Sequence, residues 1–131
     1  MSGADRAGRS ALHYAAMADQ ASRVEGLVAS GDDPNIADNL GFTPLHLAAQ
    51  EGSFAAARAL LDSGAEVDPV NKYGNTPLFV AVFNSKGRGD IITLLRDRGA
   101  DAAKINKSGQ TPAGLARLIG NYDVARFFAD L

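Results

Sequence analysis

Two histidines, His13 and His46, stand 33 residues apart in a chain of 131. Imidazoles in equivalent places on neighbouring helices, which pack about 8–10 Å apart, are the raw material of a metal site. Each also follows a hydroxyl residue, Ser10 or Thr43, by three positions. There a ring nitrogen shares hydrogen bonds with the start of a helix. No third ligand of metal type follows in register, because the equivalent positions are Phe79 and Gly114. The histidines therefore read as residues that hold turns, and no metal is expected.

The remaining candidates for chemistry are weaker. Asp32 and Asp33 form a paired carboxylate, but within the loop "SGDDPN", where acids are solvated and no cleft perturbs them. No serine sits in a nucleophile-elbow context, and with no cysteine there is no thiolate nucleophile, thiolate metal site or disulfide. The stretch "SKGRGD", Ser85 to Asp90, offers two glycines and two cations, yet it lacks the strand and spacing of a phosphate-binding loop. It also spells Arg-Gly-Asp, the form of an adhesion ligand, although Asp90 is better placed to cap the helix "IITLLRDR". No catalytic residue and no cofactor are expected.

The elements that would position such residues follow from composition and period. Alanine and leucine supply most of the apolar content and aromatics only 7%, which favours close-packed helices. A formal charge of −2 argues against a generally basic nucleic-acid binder. No basic leader with an apolar core and no membrane-length apolar run is seen, so a cytoplasmic location is expected.

The stretch "GFTPLHLAAQEGS" from Gly41 has relatives at Gly8, Gly74 and Gly109, at steps of 33, 33 and 35 residues. Gly31, Gly64 and Gly99 form a second series, so four units repeat. In the second unit Thr43 caps a helix with Pro44 at its first position, Leu45, Ala48 and Ala49 follow at helical spacing, and Gly52 ends it. "FAAARALLD", Phe54 to Asp62, is a second helix closed by Gly64. Helices this short are unstable alone in water, so stability belongs to the stack.

"DNLGFTPLHLAAQEGSFAAARALLDSGAEV", Asp38 to Val67, resembles an ankyrin repeat almost position for position, and the likeness extends over roughly residues 5–131. The resemblance implies an all-α ankyrin-repeat solenoid of four stacked helix-turn-helix units with β-turn or hairpin-like connecting loops. It implies a single domain, residues 1–131, with repeats at about 5–37, 38–70, 71–105 and 106–131. Repeat one has Ser10-Ala11 in place of Thr-Pro, and repeat four has Ala113-Gly114 in place of Leu-His, as suits end caps with one face in water.

The resemblance also implies a non-enzymatic protein-protein interaction module that grips a partner with its concave face and turn tips. Carried onto this sequence, those positions include Arg6, Arg9, Met17, Leu40, Phe42, Gln50, Glu51, Lys72, Tyr73, Asn75, Phe83, Asn84 and Lys107. Repeat three has two extra residues between Thr76 and Gly87, which present Lys86 and Arg88 as further candidates; the same extra length also reads as a tolerated surface insertion. Leu40, Phe42, Tyr73 and Phe83 make an apolar centre flanked by cations, whereas Asp62, Asp68, Asp97 and Asp101 gather behind. The expected partner is another protein with an acidic, partly apolar surface, and neither nucleic acid nor membrane; the free chain is expected to be a monomer. A narrower alternative is an antitoxin or immunity protein that inhibits a toxin or effector enzyme by direct binding.

Overall fold

Three of the four first helices begin on the same local chemistry. Thr43, Thr76 and Thr111 take extended backbone angles, and their hydroxyls accept the N–H of His46 (3.3 Å), Phe79 (3.3 Å) and Gly114 (3.0 Å). Proline follows each, where its missing N–H costs nothing. The computed structural model describes residues 5–131; residues 1–4 of the expected domain span lie outside the described residues. The helices are α1 (Ala11–Met17), α2 (Ala21–Ala29), α3 (Pro44–Glu51), α4 (Phe54–Asp62), α5 (Pro77–Asn84), α6 (Asp90–Asp97) and α7 (Pro112–Leu118), followed by a 3-10 turn, Ala125–Phe128. No strand occurs among the described residues.

The pairs stack as two rows. In the inner row α3 packs against α1 and α5, and α5 against α7; in the outer row α4 lies between α2 and α6. Small side chains at matching positions, Ala15, Ala48, Ala81 and Ala116, are buried and let the inner helices approach closely. Larger ones, Leu12, Leu45 and Leu78, fill the layer between the rows with Leu60 and Leu95. Gly52 ends α3 in the left-handed region at φ 72°. Asp19 holds the matching place in repeat one at φ 57°, and its carboxylate accepts the N–H of Ala56 at 2.9 Å, capping α4 of the next unit.

Two expectations are corrected. Asp90 does not cap α6: Gly89 is the capping residue and Asp90 is the first helical one, where its charge still suits the N-terminal end of the dipole. The fourth unit has no second α-helix, because the chain from Asn121 onward is drawn in by its aromatic side chains instead. Phe128 lies in the register of Leu60 and Leu95 and is buried, and the guanidinium of Arg96 sits 5.1 Å over its ring. Arg96 also donates to Phe127 O at 2.9 Å and, with both nitrogens at 2.7 Å, to the Asp130 carboxylate, holding it below the usual carboxylate range.

The longer turn of repeat three is the seat for this segment. Tyr122 lies against Gly87, where an added Cβ would stand 3.0 Å from its ring, and Phe127 lies directly on Gly89. Arg126 donates to Gly87 O at 3.3 Å. The two glycines are thus explained by close approach, and at Gly87 also by a φ of 88°. Gly89→Ala therefore forces Phe127 out of place and costs about 1–3 kcal/mol, whereas Phe128→Ala costs about 3–5 kcal/mol. Urea midpoints measured at unchanged slope check both.

Candidate functional site

The tips that carry most candidate residues are fixed by one repeated device. Asp38 Oδ1 accepts the N–H groups of Leu40 and Phe42, each at 2.9 Å. Asn71 does the same for Tyr73 (2.9 Å) and Asn75 (3.1 Å), and Asn106 for Ser108 and Gln110, both at 2.9 Å. Asp5 takes Ala7 and Arg9 at 3.0 Å each. Adjacent tips are then joined through backbone bonds: Asn39 N–H to Ala7 O (2.8 Å), Lys72 N–H to Leu40 O (2.9 Å) and Lys107 N–H to Tyr73 O (3.1 Å). Side chains leaving these tips stand on a held backbone.

The histidines complete the platform. The backbone N–H of Thr43 donates to His46 Nδ1 at 3.1 Å, so that nitrogen carries the lone pair; Nε2 carries the proton and donates to Asn75 O at 2.7 Å. His13 repeats the arrangement with Ser10 N–H (3.0 Å) and Phe42 O (2.8 Å). Both rings are buried and each ties its own helix start to the next tip. With no nitrogen of either ring left over, they are structural. No group of three metal-type side chains occurs among the described residues.

Phe42, Gln50, Tyr73 and Phe83 come together around a groove of about 290 Å³ between repeats two and three. Asn75 and Asn84 edge it, and Phe79 and Val80 form its floor. The ring of Phe42 meets His46 edge-on with centroids 5.5 Å apart. Phe83 is 70% exposed and Tyr73 47%. The floor residues were missed by the sequence reading; the signal for them is that α5, "PLFVAVFN", is apolar on nearly every face, unlike α3. Leu40 is exposed on the tip beside the groove.

The cations divide. Lys72 Nζ lies 5.8 Å over the Tyr73 ring, at the groove's edge, and Lys107 stands on the neighbouring tip. Lys86 lines, with Phe83, Ile119 and Tyr122, a second groove of about 280 Å³ towards repeat four. Arg9 is drawn into an ion pair with buried Asp38 at 3.4 Å, and Arg88 folds over Gly52 in the crevice between helix rows, so neither faces the aromatic groove. Arg6 is exposed at the first tip, and Met17 and Glu51 lie at inner-helix ends, Glu51 accepting from Gln50 at 3.0 Å. The acids behind are partly neutralised: Asp62 meets Arg98 at 2.6 Å and Arg58 at 3.9 Å. Among them Asp68 is half-buried, and burial pushes its carboxyl up.

A family model for ankyrin repeats, in three copies, matches residues 12–106, and the chain belongs to the ankyrin repeat family. A search of curated proteins gave no match. Members of this family are generally non-enzymatic modules of protein-protein interaction. Among the described residues no helix is long and apolar enough to cross a membrane.

Burial pushes the His46 pKa down to about 4 from 6.5. The unfolded chain therefore takes up the proton first: the full contribution of His46 is present above pH 6.5 and is lost as pH falls towards 4, levelling off below. That contribution is roughly 3 kcal/mol. His46→Phe, which places at this position the residue found at Phe79, reduces the fall in stability between those pH values, and the part due to His13, whose pKa burial also lowers, remains; denaturant titrations at several pH values check it.

Proposed function

We propose that this protein is a non-enzymatic module that holds another protein across repeats two and three, through the aromatic groove and the adjoining tips. The observation that carries this reading is the exposed pair Tyr73 and Phe83 around a groove that the helix packing leaves open, with Leu40 exposed on an adjoining tip. Aromatic anchors with a polar, charged rim are the usual make-up of protein interfaces. Lys72, Lys86 and Lys107 supply the rim and pair with no acid among the described residues, which favours an acidic partner surface. The chain has no cysteine, which supports a cytoplasmic setting.

The partner can be identified by co-purification from the native host with mass spectrometry and its affinity then measured directly. Phe42→Ala combined with Tyr73→Ala should weaken that affinity by well over tenfold while helical circular dichroism is unchanged. Unchanged affinity would remove this face as the binding surface.

A further inference from the structure

The mouth of the aromatic groove has hydrogen-bonding capacity left over. Gln50 donates through Nε2 to Glu51 at 3.0 Å, and Asn84 through Nδ2 to Val80 O at 2.9 Å, which fixes the orientation of both amides. Neither Gln50 Oε1 nor Asn84 Oδ1 accepts a hydrogen bond among the described residues. Asn75, on the same edge, is fully engaged: its carbonyl takes His46 and its Oδ1 takes Asn106 Nδ2 at 2.7 Å. The groove thus offers aromatic walls, an apolar floor and two free acceptors.

Its volume of about 290 Å³ is at the low end of the roughly 300–1,000 Å³ typical of ligand pockets and suits one large side chain. Indole is the apolar side chain that brings a donor and no acceptor, and it seeks a partner for its N–H when buried. Around the mouth stand Lys72 and Lys107, with Lys86 beyond Phe83, all without an acid partner among the described residues. That charge calls for carboxylates on the segment bearing the anchor.

We propose that the groove receives a tryptophan side chain from an acidic segment of the partner protein, its indole N–H donated to Gln50 Oε1 or Asn84 Oδ1. The inference rests on the protein-binding reading above and names the chemistry of what is bound.

The chain contains no tryptophan, so all indole emission comes from the peptide and its shift reports binding. The probe is the peptide acetyl-Asp-Glu-Trp-Glu-Asp-amide, titrated into the full chain alongside versions carrying phenylalanine, tyrosine or 1-methyltryptophan at the centre, or glutamine in place of the acids. The expected result is a saturable blue shift of the indole emission together with movement of the Gln50 and Asn84 side-chain amide resonances. The 1-methyl peptide should bind at least about fivefold more weakly, because it leaves the acceptor unmet. The glutamine version should bind more weakly at low salt and the gap should close as salt rises. Gln50→Leu with Asn84→Leu should bring the two indole peptides to equal affinity. Absence of a saturable shift up to several millimolar peptide, or equal binding of the 1-methyl peptide to the unaltered protein, overturns the anchor. If either occurs while Phe42→Ala with Tyr73→Ala still weakens capture of the native partner, the face stands and only its tryptophan anchor is lost.

Discussion

At the head of each repeat one side-chain oxygen, from Asp5, Asp38, Asn71 or Asn106, takes two backbone N–H groups of its own tip. The N–H of the residue that follows Asp38, Asn71 or Asn106 crosses to the preceding tip. Everything else leans on this constraint, because the helices run only seven to nine residues and none is stable by itself. At two junctions an imidazole adds a second crossing bond, to Phe42 O and Asn75 O. At the third junction, where Phe79 stands in its place, the tip-to-tip bond from Lys107 remains.

This division of labour separates architecture from recognition. The residues at the centre of each repeat have their polar atoms spent on the stack, as His46 shows. Residues at its margins do not, and there Phe83 and Tyr73 stand exposed and Gln50 and Asn84 keep a free oxygen. A side chain on a held tip loses little further freedom when a partner arrives, which is how a modest groove can bind usefully. The longer turn of repeat three serves both sides: its glycines seat Tyr122 and Phe127, and its Lys86 is turned out in the left-handed region at φ 53°.

Much of this was legible in the sequence because the signals are local and repeated. The spacing of glycines, the Thr-Pro helix starts and the paired short helices need only neighbouring residues to explain them, and the histidines were read as structural from their distance to a hydroxyl. What escaped depends on residues far apart in the chain. Nothing near Arg9 announces that Asp38 will bind it, and nothing near Arg88 says that it will lie over Gly52. The end of the chain reads as an ordinary second helix until Gly87 and Gly89 open a place for its rings. In the groove, the tips Phe42 and Tyr73 were accessible to reasoning by register, whereas Phe79 and Val80 are buried positions whose role appears only once the neighbouring tip is in place.

The central claim is that the tips form one rigid, cross-linked edge rather than a row of loops. Native-state amide hydrogen exchange tests it at Asn39, Lys72 and Lys107, whose N–H groups make the crossing bonds. The account predicts that these three protons exchange within about tenfold of buried inner-helix amides such as that of Leu47, opening only when repeats separate. Exchange at the rate of freely solvated loop amides would contradict it.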